Sequence, residues 1–199
     1  GVFRRQRQMC IRDSNKPYII LKIASSLDGK SHIESEERTI ITSKASRYDV
    51  QILRASCDAI LTGGNTLRND NPRMNARVNF PTNQPKKILL TSKDCDKELN
   101  FFKDNDVQIY KNKDLAQIIK SFKDQDFCSI LIEAGPKLAN SFLELGLVDE
   151  IISYTSNNEL GDKAVSWFKE NNAIENYGFK LESSYKIDSD IKEVFKKNG

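Results

Sequence analysis

From Pro17 onward the chain alternates short apolar runs with stretches of helical period, the order expected when strands and helices are layered on a mainly parallel sheet. Tyr18 to Ser25 (YIILKIAS) is a near-continuous β-rich run suited to a central strand, and Asp28-Gly29 behind it marks a turn. A loop is expected from there to about Thr42. Ser43 then stands where a helix cap belongs, ahead of a helix reaching Ala55, with Tyr48, Ile52 and Ala55 on one face and Val50 and Leu53 nearby.

Asp58 to Thr62 reads as the next strand. Gly63-Gly64 ends it, and Asn69 to Pro72 (NDNP) ends the short helix between. Further strands are expected at Lys87 to Thr91, Val107 to Tyr110, Ser129 to Glu133 and Asp149 to Thr155. Helical spacing recurs in Leu115, Ile118, Ile119 and Phe122, and again beyond Gly135-Pro136 in Leu138, Phe142, Leu143 and Leu145. Two β-like stretches around Asp188-Ser189-Asp190 predict an antiparallel hairpin that finishes the sheet.

Composition narrows the class. With 199 residues, 38% of them apolar and 30% charged, the chain suits one well-buried core, and no apolar run nears the ~20 residues needed to cross a bilayer. The net charge of +3 resides in Arg4, Arg5, Arg7 and Arg12 against Asp13, so the body is neutral and offers no electrostatic footprint for nucleic acid. Residues 1–15 contain the string RRQRQMCIRDS, which resembles translated sequencing-adapter read-through and lacks the apolar stretch of a secretory signal. They are expected to be a non-native or disordered tail, with the folded domain at residues 16–199. Cys10, Cys57, Cys95 and Cys128 are scattered, without C-x-x-C spacing, beside the single histidine, His32. Neither structural zinc nor a disulfide framework is expected, and small buried thiols in a reducing compartment suggest the cytoplasm.

Two strand-to-helix junctions could carry chemistry. Ile132-Glu133-Ala134-Gly135-Pro136-Lys137 sets backbone N–H groups and a positive dipole end beside a glycine that a phosphate could approach, although no G-x-G-x-x-G is present and such starts also occur where nothing binds. Leu61-Thr62-Gly63-Gly64-Asn65-Thr66 is the second, and in a parallel sheet both lie at the strands' carboxyl ends, where ligands usually sit. Asp70 and Glu133 are carboxylates placed to orient a substrate or manage a proton, or else simply to cap or solvate. Arg54, Arg73 and Arg77 could form a guanidinium fork for a phosphorylated substrate, but spacing alone favours exposed arginines that solvate a face. His32 is expected in a solvated loop and Trp167 in packing.

Read in order, LKIASSLDGK (21–30), ITSKASRYDVQILRASCDAILTGGNTLRNDNPRMNAR (41–77) and IEAGPKLANSFLELGLVDEI (132–151) resemble the riboflavin-specific reductase family, the C-terminal half of the bifunctional pyrimidine deaminase/reductases, from Pro17 to about Asn198. The resemblance implies a dihydrofolate-reductase-like three-layer α/β/α fold and a homodimer. It also implies a reaction: hydride passes from C4 of NADPH to C1′ of the ring-opened ribosylamino group of a phosphoribosylaminouracil. By position, Ala24, Thr66, Asp70, Ser92 and the run Gly135, Pro136, Lys137, Leu138, Ala139, Asn140 and Ser141 would contact NADPH. Arg54, Met74, Arg77 and Glu133 would line the substrate site, and Asp70, Glu133 and Lys22 are the catalytic candidates.

Two positions depart from the family, which usually reads G-x-S-x-W-I-T where this chain has Glu36 to Thr42. Ile40 replaces a tryptophan that would pack on the cofactor, and Arg38 replaces a small hydroxyl residue beside the substrate. The zinc deaminase half pairs an H-x-E with a P-C-x-x-C, a combination this chain does not carry, so the deaminase domain is expected on a fused segment or a separate chain. The alternatives are a reductase acting on the diaminopyrimidine before deamination and a non-catalytic nucleotide-binding module.

Overall fold

A computed structural model describes residues 16–33, 39–104, 106–111, 114–168 and 174–197. The expected tail at residues 1–15 and the departure at Arg38 lie outside the described residues. In chain order the elements are β1 (Tyr18–Ser25), β2 (Lys30–Ile33), α1 (Lys44–Ala55), β3 (Ala59–Gly63), α2 (Gly64–Asp70), β4 (Lys86–Leu90), β5 (Val107–Tyr110), α3 (Leu115–Ser121), β6 (Ser129–Ile132), α4 (Pro136–Glu144), β7 (Glu150–Thr155), β8 (Ala164–Ser166), β9 (Phe179–Ile187) and β10 (Asp190–Lys197). The described residues divide into two compact units, those within 16–20 and 51–132 and those within 21–50 and 133–197.

The first unit carries the strand order β5-β4-β3-β6, every pair parallel. Leu61 lies opposite Ile88 on one side and Ile132 on the other, so β3, β4 and β6 end along one edge. Ile60, Leu61, Ile88, Leu89, Ile130, Leu131 and Ile132 are fully buried, as the continuous apolar runs of a doubly covered parallel sheet require. A charged side chain shares this core: Lys87 is wholly buried, its Nζ donating to the Phe101 carbonyl at 2.8 Å, and burial pulls its pKa down.

The second unit carries the order β1-β7-β10-β9, in which β10 pairs antiparallel with both neighbours, and a separate β2-β8 pair. The hairpin turns on Asp188-Ser189, with Asp188 at φ 56°, as the sequence pattern predicts. Ser43 caps α1, its Oγ accepting from Ser46 N at 3.1 Å, while the Asp190 carboxylate accepts from Ser43 N at 2.7 Å and from Ser46 Oγ at 2.6 Å. The mainly parallel α/β fold with a C-terminal antiparallel hairpin is thus the fold observed. Three details differ from expectation. The loop after Gly29 contains β2, Tyr48 and Ile52 on α1 are exposed rather than buried, and Arg54 on the same helix is buried.

Candidate active site

Each unit holds one group of candidate residues. In the first, β3 runs into α2 through Gly63-Gly64, and α2 begins without a side-chain cap. A Cβ built on Gly64 would lie 2.5 Å from Thr91 Oγ1 at the end of β4, so only glycine admits this approach of the two strand ends. Thr91 Oγ1 donates to Lys93 O at 2.9 Å and accepts from Lys93 N at 3.1 Å, which fixes the turn bearing Ser92 at the same edge. Thr66 and Asp70 lie on α2, both half-buried.

The loop that follows is firmly held. Asn71 closes α2 in the left-handed region at φ 39° and its side chain accepts from Asn100 N at 2.8 Å. Arg73 forms a two-bond ion pair with Asp104, Nε to Oδ2 at 2.6 Å and Nη2 to Oδ1 at 2.8 Å, and the pair holds the Asp104 carboxyl below its ordinary pKa. Arg73 is thereby spent on the fold, leaving Arg54 and Arg77 of the three arginines weighed from sequence. These two share a neighbour: Arg54 Nη1 donates to Asn75 O at 3.4 Å and Arg77 Nη1 to Asn75 Oδ1 at 2.9 Å. Arg54 is only 8% exposed, which overturns the expectation that it merely solvates a face. Met74, between them, is buried at φ 49°, a conformation that costs an unbranched long side chain on the order of 1–2 kcal/mol and that tends to persist at ligand-binding positions.

In the second unit the chain emerges from β6 at Glu133, which is 5% exposed. Lys22 of β1 approaches it, Nζ to Oε2 at 3.5 Å, and the ammonium keeps a partial opening to solvent with 18% of its side chain exposed. Gly135 caps α4 with no side-chain cap and Pro136 occupies the first turn, so no side chain of the cap residue competes for the amides of Lys137 and Leu138. Asn140 is committed to the fold through its amide nitrogen, which donates to Pro136 O and to Trp167 O, both at 2.8 Å. Trp167 Nε1 in turn donates to Ala24 O at 2.7 Å. Trp167 therefore packs, as expected, and also ties Ala24 to α4; a buried indole seeks such an acceptor, a cue the sequence reading did not use. Ala139 is buried, Lys137 is exposed and Ser141 Oγ donates to Lys137 O at 3.1 Å.

Beyond these groups, a polar network joins α1 to the sheet: Tyr154 Oη donates to Asp49 Oδ2 at 2.5 Å and Lys192 Nζ donates to the same oxygen at 2.6 Å. His32 is on β2 rather than in a loop, its Nδ1 2.7 Å from Ser31 Oγ, and Ile40 is exposed. His32-Ile33-Glu34 does have the H-x-E form, but it has no cysteine pair to accompany it, Glu34 lies outside the described residues, and no group of three metal-ligating side chains is found among the described ones. An open pocket of about 590 Å³ lined by Gln84, Lys86, Phe102, Lys103, Asp104 and Asp106 opens at the amino-terminal end of β4, the opposite edge from these junctions.

The sequence profile of the RibD C-terminal domain family matches residues 17–192. The riboflavin biosynthesis protein RibD of Buchnera aphidicola is 31% identical, covering 92% of this chain and 60% of that protein, and that of Escherichia coli is 32% identical, covering 74% and 50%. The chain thus spans about half to three-fifths of these relatives. Among solved structures, RibD of Acinetobacter baumannii in form 1 superposes with a TM-score of 0.88 at 28% identity, over 98% of this chain and 62% of that one. The Saccharomyces riboflavin biosynthesis reductase Rib7 shares the fold, with a TM-score of 0.67 at 16% identity over 92% and 91%.

Proposed function

The chain belongs to the RibD C-terminal domain family, and from that premise we propose that it reduces the ribosyl group of 5-amino-6-(5-phosphoribosylamino)uracil to the ribityl form, with NADPH as reductant, in riboflavin biosynthesis. The observation that carries this reading is the Lys22–Glu133 pair. A carboxylate almost wholly out of water beside a partly open ammonium is costly as mere scaffolding and apt for moving one proton.

The chemistry needs one hydride and one proton. Ring opening of the ribosylamine leaves C1′ doubly bonded to nitrogen. Hydride adds to C1′, the π electrons move onto nitrogen, and a proton from the Lys22 ammonium completes the secondary amine. Glu133, 3.5 Å from the Lys22 ammonium, holds it in place for that delivery. A bound nicotinamide cofactor supplies the hydride; the protein supplies orientation and the proton.

The residues suit a dinucleotide. Gly135 leaves the start of α4 to be approached by a phosphate, and Gly63 leaves α2 similarly uncapped. We assign Ala24, Thr66, Asp70, Ser92 and Gly135 to Ser141 to the cofactor, with Asn140 contributing through groups other than its committed amide nitrogen. Arg54, Met74, Arg77 and Glu133 are assigned to the substrate, the two arginines receiving its phosphate. The same reading carries a homodimer, a deaminase domain fused or separate, and a cytoplasmic setting.

The test is NADPH consumption by the full chain with the deaminated phosphoribosylaminouracil, followed by near-ultraviolet absorbance, alongside the diaminopyrimidine that precedes deamination. Turnover of the first, lost in Glu133→Gln, is the expected result. Turnover of the second alone would reassign the substrate. Tight nucleotide binding with no turnover of either would make the chain a binding module.

A further inference from the structure

NADPH and NADH differ by a single phosphate on the adenosine ribose, so preference between them must come from a cation placed at that phosphate. Two cations in the loops of the first unit are already engaged. Arg73 is paired with Asp104 and Lys111 with Asp94. Arg68 is different. It is exposed on α2, its Nη2 donates to Asn65 Oδ1 at 2.7 Å, its Nη1 lies 3.9 Å from Cys95 Sγ, and no carboxylate among the described residues forms an ion pair with it. Its props are neutral, so the guanidinium is held in place with its charge uncompensated and donors to spare.

The backbone under it is bare. The position a Gly64 Cβ would take is 3.0 Å from Arg68 Nη1, so the guanidinium lies close against the β3–α2 turn. The same position is 2.5 Å from Thr91 Oγ1, which brings the Thr91–Lys93 turn, with Ser92 on it, to the same spot. Lys93, on that turn, is exposed. A guanidinium fixed by neutral partners above a glycine turn suits a tetrahedral dianion far better than a hydroxyl.

We propose that Arg68 selects NADPH by receiving the adenosine 2′-phosphate. The proposal rests on the reductase reading above, since it concerns the cofactor assigned there.

The test is calorimetric titration of the full chain with adenosine 2′,5′-bisphosphate and adenosine 5′-monophosphate, for wild type, Arg68→Gln and Arg68→Lys. Wild type is expected to favour the bisphosphate by about ten- to a hundredfold, the range for charge-assisted contacts. Arg68→Gln should erase most of that advantage and leave the monophosphate affinity unchanged, while Arg68→Lys keeps part of it. An undiminished advantage in Arg68→Gln, or none in wild type that still binds both nucleotides, overturns the role of Arg68 and leaves the cofactor reading standing. Failure of wild type to bind either nucleotide overturns both.

Discussion

The carboxylate of Asp28 accepts a hydrogen bond from the backbone N–H of Gly161 at 2.8 Å, across 133 positions of sequence. The same side chain accepts from Leu160 N at 3.1 Å and from Ser26 Oγ at 2.5 Å, so the turn after β1 and the loop after β7 share one anchor. These bonds, the Ser26 hydroxyl foremost, lower the Asp28 pKa to about 2 from 3.8. A depressed carboxyl stabilises the fold fully above its unfolded value and loses that contribution as protons return. Stability is therefore expected to fall between about pH 4 and pH 2 in wild type, and urea midpoints of Asp28→Asn should show a flatter acid limb. An identical acid limb in the variant would refute the anchor.

Glu133→Gln should separate binding from chemistry. Nucleotide affinity is expected to stay within about threefold, while turnover falls by about 10²–10⁴, the range for removing a positioned acid–base group. Lys22→Met should lower turnover similarly and also destabilise by about 1–3 kcal/mol, because it strands a carboxylate that is nearly out of water. Equal losses of affinity and turnover in both variants would mean the pair only shapes the site.

Gly64→Ala should cost about 1–3 kcal/mol, because the new methyl meets Thr91 Oγ1 at 2.5 Å and Thr91 Cβ at 2.9 Å, both on a side chain locked by Lys93. Adding Thr91→Ala should recover part of that loss. Denaturant unfolding of the four proteins gives the coupling energy, and strict additivity would mean that the strain arises elsewhere.

Tyr154 and Asp49 should show the asymmetry of a buried donor and its acceptor. Tyr154→Phe removes the donor and leaves Asp49 paired with Lys192, so a loss of about 1 kcal/mol is expected; Asp49→Ala strands a buried hydroxyl and should cost about 2–4 kcal/mol. Burial, then the Asp49 hydrogen bond and charge, raises the Tyr154 pKa far above its usual 10.0. A raised group contributes fully below the unfolded value and loses that contribution above it, so wild type should weaken beyond about pH 10 and Tyr154→Phe less so. Alkaline titration of tyrosine absorbance alongside unfolding checks this.

Most strands were legible because a buried parallel strand writes itself as a largely apolar run: β1 falls where the pattern places it, as does the half-exposed β5, while β3 and β4 slide by one residue and β6 and β7 each lose one residue at an end. The hairpin and the Ser43 cap were legible for similarly local reasons. What failed depends on partners far along the chain. β2 and β8 are four and three residues long, mostly polar in β2, with a register shift between them. On α1, Ser46 and Arg54 are buried because Asp190 and Asn75 meet them, while Tyr48 and Ile52 face outward; periodicity sees apolar spacing and not such polar partners. Resemblance, rather than pattern, picked out Met74 and Lys22.

The cap of α1 also sets an order of events during synthesis. Ser43 and Ser46 open the helix, but the carboxylate that receives both belongs to Asp190, on a strand translated more than 140 positions later. Until that strand emerges, the start of this helix rests on local contacts, the Ser43 hydroxyl and Arg47 Nη1 donating to the Thr42 carbonyl. The final hairpin latches it, so a nascent chain halted before that hairpin emerges leaves the helix frayed and its buried serine open to water.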